Sequence, residues 1–171
     1  MSLPDDPTGG TEFARILAEN ERYARSFDRS ALTAAPLRGL AVLACMDSRL
    51  DVHEALGLRM GDAHVLRNAG GLATDDAIRS LVVSQQLLGT DTIVVIQHTG
   101  CGLLGVDEEA VRGALARATG HDLDMRLGSF GDLEANVRLT VERLRAHPWL
   151  RRGPVHGTIF VVATGRLEVV A

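Results

Sequence analysis

The sequence predicts an α/β protein built on a mostly parallel sheet. Short, fully apolar runs of strand length recur along the chain, and segments with helical apolar spacing separate them. Runs that are apolar throughout suit strands covered on both faces, the usual situation of parallel strands. A length of 171 residues fits one domain with room for a real core.

Residues 1–10 contain two prolines and two glycines with little apolar content, and are expected to be disordered. Thr11 to Asp28 carries Phe13, Ile16, Leu17, Tyr23 and Phe27 among charges, a helical pattern. Ala34-Ala35-Pro36 reads as a linker, so residues 11–35 form a helical arm ahead of the first strand. Such an arm needs an apolar surface, either on its own domain or on a neighbouring subunit. Gly39 to Ala44 is the first strand, Asp51 to Leu58 a short helix, and Ala63 to Leu66 a second strand leading into a flexible loop, Arg67-Asn68-Ala69-Gly70-Gly71. Thr74-Asp75-Asp76 opens a helix with a capping hydroxyl and first-turn acids, and Gly89 stops it. Thr92 to Ile96 is a third strand, Val111 to Ala118 and Leu133 to Arg145 are helices, and Thr158 to Ala163 is a fourth strand. Arg166 to Val170 fits an edge strand. Residues 11–171 are thus expected to be one domain.

Composition narrows the function. A net charge of −4 offers no basic footprint, so nucleic acid is not an expected partner. No window approaches the roughly 18 unbroken apolar residues of a membrane span. No charged-then-apolar leader is visible, which leads to the expectation of a cytoplasmic protein. In a reducing cytosol the two cysteines, Cys45 and Cys101, are expected as metal ligands or free thiols rather than a disulfide.

Both cysteines sit beside chemically useful neighbours at strand ends. Cys45-Met46-Asp47-Ser48-Arg49 follows the first strand, and His98-Thr99-Gly100-Cys101 follows the third. Ligands in open sheets of this kind gather beyond the carboxyl ends of the strands. Two thiolates and an imidazole make the three-ligand set of a catalytic zinc with an open fourth position. In an extended segment Cys45, Asp47 and Arg49 share a face. The Arg49 guanidinium should lower the pKa of Asp47 and hold it off the metal as a bidentate partner, leaving one oxygen free to accept a proton from bound water. Zinc with two thiolates and a neutral imidazole carries no net charge, so its water should be less acidic than in a three-histidine site, and activity should climb on the alkaline side of neutrality. Gly70 and Gly71 offer either an anion-accommodating pair of amides near the helix start at Thr74 or a simple turn. His53, His64, His121, His147 and His156 show no ligand spacing.

In their order and at strand ends, CMDSR (45–49), HVLRNAGG (64–71) and HTGCG (98–102) resemble the β-class carbonic anhydrases. ACMDSRLDV and RNAGG-x-x-TDD-x-IRSL resemble the small prokaryotic branch of that family. The likeness is strong over residues 39–104 and looser beyond. It implies a four-stranded parallel sheet with an added antiparallel edge strand, and an N-terminal arm embracing a partner in a homodimer or dimer of dimers. It further implies one Zn²⁺ per subunit on Cys45, His98 and Cys101, a catalytic Asp47–Arg49 dyad, and hydration of carbon dioxide to bicarbonate by zinc-bound hydroxide. Gly70 and Gly71 are then the loop next to substrate. Two alternatives use the same residues: a hydrolase of carbon disulfide or carbonyl sulfide, and a non-catalytic zinc-binding or redox-sensing protein in which Asp47 is the fourth ligand.

Overall fold

A computed structural model describes residues 11–28 and 32–171. The expectation of disorder over residues 1–10 lies outside the described residues. The chain divides into two compact units, Met1–Leu32 and Thr33–Ala171.

The first unit contains α1, Glu12–Arg25. The Thr11 hydroxyl caps it by accepting from the Ala14 amide at 3.2 Å. Glu12 in the first turn and Arg22 and Arg25 in the last complement the helix dipole. Phe13, Ile16, Leu17 and Tyr23 fall within this helix, and no residue of it is buried.

The second unit is built on a five-stranded sheet. Its strands are β1 (Leu40–Cys45), β2 (Ala63–Asn68), β3 (Thr92–His98), β4 (Val155–Val161) and β5 (Arg166–Val169), in the order β2-β1-β3-β4-β5. The first three pairings are parallel, and β5 runs antiparallel against β4. The helices are α2 (Val52–Leu56), α3 (Asp75–Gln86), α4 (Glu108–Thr119) and α5 (Leu133–Ala146).

The apolar runs read as strands are buried because both faces are covered. Side chains alternate between two cores, as a period of two requires. Ala41, Leu43, Ile93 and Val95 join Ile78, Leu81, Val141 and Leu144 of α3 and α5 on one face. Val42, Ala44 and Ile96 join Leu50, Val52, Leu58 and Phe160 on the other. Leu43, Leu81, Ile93 and Ile96 are fully buried, each contributing about 1.5–3 kcal/mol through removal from water.

The structure moves several boundaries. The first three strands extend past their apolar runs to take in Cys45, Arg67-Asn68 and Gln97-His98. These polar residues are therefore held by strand pairing: Cys45 lies opposite Asn68, and His98 opposite Phe160. β4 begins at Val155 rather than Thr158, because Val155, His156 and Gly157 pair with Ile93, Val94 and Val95 although the apolar run is broken there. α4 starts three residues ahead of Val111, capped by Asp107, whose carboxylate accepts from Glu109 and Ala110. The loop expected to be flexible after β2 is a 3₁₀ turn, Ala69–Gly71, clamped by two bonds between the Asn68 side chain and the Leu72 backbone, both 2.8 Å.

Candidate metal centre

β1 and β3 are adjacent and parallel, so their carboxyl ends bring Cys45 and His98 together. Past His98 the chain turns through Gly100, at φ +67°, and returns Cys101 to the same place. Potential ligand atoms of Cys45, His98 and Cys101 lie within 4.8 Å of one another, and all three residues are buried. Among the described residues no other group of three or more His, Cys or carboxylate side chains comes together in this way. The remaining histidines lie elsewhere. His64 bonds Ser84 and the Ala34 carbonyl, and His147 packs edge-on against Trp149.

The centre fits a metal ion on its own chemistry. Nδ1 of His98 donates to the Thr99 carbonyl at 3.1 Å, which fixes the tautomer and leaves a lone pair on Nε2. That Nε2 is buried and has no hydrogen-bond partner. A buried imidazole nitrogen left unpaired is costly unless something else accepts its lone pair. The two free cysteines beside it supply soft ligands. Burial pushes the Cys101 thiol up, with the nearby Cys45 adding to the effect, and a dication is the natural way to stabilise thiolates in such a place.

Asp47 and Arg49 stand at the edge of this cluster. Arg49 Nε donates to Oδ1 and Nη2 to Oδ2, both at 2.8 Å, and the Arg49 amide donates to Oδ1 at 2.9 Å. Nη2 also donates to the Gly100 carbonyl at 3.1 Å, tying the dyad to the turn that carries Cys101. The Arg49 side chain, followed by its amide, holds the Asp47 carboxyl far below the ordinary carboxylate range. Asp47 is therefore an anion with its Oδ2 3.6 Å from His98 Nε2, too far for a hydrogen bond.

Gly70 and Gly71 are both buried. Gly71 has φ +61°, and a Cβ there would lie 2.9 Å from the Cys45 amide nitrogen and from the Ile96 carbonyl oxygen. The turn is wedged between the ends of β1 and β3, which supplies a packing reason for this glycine. Leu72 and Leu103 flank Gly70.

A model of the family described as "Carbonic anhydrase" matches residues 40–167. The chain belongs to the carbonic anhydrase family. It is 41% identical over 155 residues to "Beta-carbonic anhydrase 1" of Mycobacterium tuberculosis, covering 90% of this chain and 94% of that one. The crystal structure of a carbonic anhydrase from Streptococcus mutans superposes with a TM-score of 0.89 at 40% identity, covering 95% and 99% of the two chains. A "Carbon disulfide hydrolase" of Acidithiobacillus thiooxidans is 41% identical over 153 residues, covering 77% of this chain and 76% of its own. The β-class resemblance read from the motifs, and the fold it implied, are thus borne out.

Sequence reasoning missed the residues that hold these carbonic anhydrase motifs in place. Arg67, read as part of a loop, is the penultimate residue of β2 and donates from Nε to the Cys45 carbonyl at 3.0 Å and from Nη2 to the Asp47 carbonyl at 2.6 Å. Gln97, buried beside His98, accepts from Asn136 at 2.9 Å and donates to Thr140 at 3.3 Å. The signal for Arg67 was the pairing of Ala44 with Arg67, which emerges only once β2 is known to lie beside β1.

Proposed function

We propose that this carbonic anhydrase family member catalyses the reversible hydration of carbon dioxide to bicarbonate and a proton, with one zinc ion per subunit held by Cys45, His98 and Cys101. The observation that carries the reading is the buried, unpartnered Nε2 of His98, placed among two thiols and next to a carboxylate already neutralised by another partner. Bound zinc supplies a nucleophile from water near neutral pH.

The protein's own residues supply position and charge. Asp47, kept ionised by Arg49, presents Oδ2 at the edge of the ligand cluster as a hydrogen-bond and proton acceptor. Because the Arg49 fork engages both carboxylate oxygens, Asp47 is held as a neighbour of the ligand cluster rather than a member of it. This supports a catalytic site with an open position over a closed one with Asp47 as fourth ligand. Gly71 lets the turn approach the strand ends closely, and Gly70 lies against Leu72 and Leu103, next to the substrate's place. Two free cysteines beside one another suit a reducing compartment such as the cytoplasm. The exposed Phe13, Ile16, Leu17 and Tyr23 of α1 suit burial against a second copy, in a homodimer or a dimer of dimers.

Stopped-flow hydration of carbon dioxide tests the reading, using protein of measured zinc content beside a Cys101→Ser variant. Fast turnover in the parent that rises through the alkaline side of neutrality and is lost in the variant is the expected result. Absence of turnover from fully zinc-loaded protein at every pH refutes it. The likeness to the Acidithiobacillus thiooxidans enzyme makes carbon disulfide hydrolysis the second reading. Turnover of carbon disulfide in place of carbon dioxide by the same preparation decides between them.

A further inference from the structure

We propose that Arg67 is a positioning residue that keeps Asp47 on Arg49 and out of the metal's fourth position. This inference rests on the metal reading above. The segment that leaves β1 must do two opposed things. It places Cys45 as a ligand and, two residues later, places a full carboxylate beside the same ion without allowing it to bind. Carboxylate oxygen is an acceptable zinc ligand, so nearness alone favours closure.

The Arg49 fork opposes closure, but Arg49 lies only two residues from Asp47 and moves with the same loop. It cannot by itself anchor that loop to the sheet. Its bond outside the segment runs to the Gly100 carbonyl, in another turn. The strand ladder supplies one anchor, the Met46 amide donating to the Asn68 carbonyl at 2.9 Å. Arg67 supplies the rest. Its guanidinium spans the carbonyls on either side of Met46, those of Cys45 and Asp47. The Asp47 carbonyl also accepts from the Leu50 amide at 3.1 Å, closing the turn that follows. With both carbonyls fixed, the peptide planes around Met46 cannot rotate, and the direction in which Asp47 leaves the backbone is set from β2. A planar fork is needed to hold two carbonyls at once, and a lysine ammonium can satisfy only part of this arrangement.

Loss of Arg67 should therefore release Asp47 to occupy the fourth position, while the three protein ligands remain. The test uses cobalt(II)-substituted protein, whose visible absorption reports coordination, titrated with azide. The parent is expected to bind azide at the open position. Arg67→Met, at equal cobalt content, should bind azide at least tenfold more weakly, and the double variant Arg67→Met/Asp47→Ala should recover azide binding to within about threefold of the parent. Arg67→Lys, a milder change, should show a smaller loss with the same recovery, and carries the test if Arg67→Met does not fold. Unchanged azide affinity in a folded Arg67 variant overturns the inference. So does a loss that removal of Asp47 fails to restore, since that signals general damage to the centre. A parent that takes up no cobalt overturns the metal reading and this inference together, whereas a parent with normal azide binding and insensitive Arg67 variants overturns this inference alone.

Discussion

Replacing Gly71 with alanine should be among the most damaging single-methyl changes in this protein, and the structure says why. At φ +61° an alanine pays the left-handed penalty of about 1–2 kcal/mol. The added Cβ also meets the Cys45 amide nitrogen and the Ile96 carbonyl oxygen at 2.9 Å and the Ala44 carbonyl carbon at 3.2 Å. These are backbone atoms of two paired central strands, so relief requires β1 and β3 to move rather than a side chain to swing away. Overpacking of that kind adds about 1–3 kcal/mol, for a total of about 2–5 kcal/mol against an ordinary domain stability of about 5–15 kcal/mol. Gly57 isolates the first contribution, because its φ is +60° and nothing lies within 4 Å of its would-be Cβ. Gly57→Ala should therefore lose about 1–2 kcal/mol. Gly102 has neither positive φ nor a near neighbour, and Gly102→Ala should stay within about 0.5 kcal/mol of the parent. Urea unfolding of the three metal-loaded variants at constant m measures the series. Zinc affinity measured alongside should fall for Gly71→Ala, whose relief displaces Cys45, and hold for Gly57→Ala. If Gly71→Ala and Gly57→Ala are equally stable, the strand ends yield freely and the wedge argument is wrong.

Two further outcomes test other parts of the structure. Asp47→Ala should keep its zinc while turnover drops about 10²–10⁴-fold, the usual range for a lost proton-transfer group, and parallel loss of zinc would instead mark Asp47 as a ligand. Glu108 accepts from the Leu127, Gly128 and Ser129 amides, which together draw its carboxyl down to about 2. A depressed carboxyl stabilises the fold above its unfolded value and loses that contribution as pH falls through its folded value. Glu108→Gln should thus lower the unfolding midpoint near pH 6, with the difference from the parent shrinking between about pH 4.3 and pH 2, as thermal melts across pH would show.

The residues of the site were legible because each chemical group follows an apolar run of strand length. The alternation of strands and helices fixed which end of the sheet those groups would share. Cys45, Asp47, Arg49, His98 and Cys101 all meet where that reading puts them. Less was visible wherever partners are set by topology. Arg67 and Asn68 look like loop residues until β2 lies against β1, and Val155 to Gly157 fall outside the apolar run read as the fourth strand although they pair with β3. Glu108 gives no hint that its carboxylate ties down a loop twenty residues ahead. The glycine pair reads in sequence as anion-accommodating amides or a simple turn, whereas Gly71 is placed by the absence of a side chain between two strand ends.

The charge distribution explains why this constellation needs so many supporting contacts. Two thiols, one raised by burial and by its neighbour, and a carboxylate held strongly anionic converge on a few ångströms of space. Without compensation, repulsion would protonate or disperse them. The cations present are distributed by role rather than pooled. Arg49 takes the carboxylate through a two-point fork and bonds the Gly100 carbonyl, and Arg67 takes the two carbonyls that define the path of the chain between Cys45 and Asp47. Neither guanidinium is bonded to a sulfur, so the thiols retain their demand for a dication. The carboxylate, already satisfied, keeps only a residual acceptor capacity for what a bound metal brings with it. A site wired in this way can attract a metal with its sulfurs and hold an acceptor ready beside it, provided the segment 45–49 does not turn, and that segment is fastened chiefly by β2.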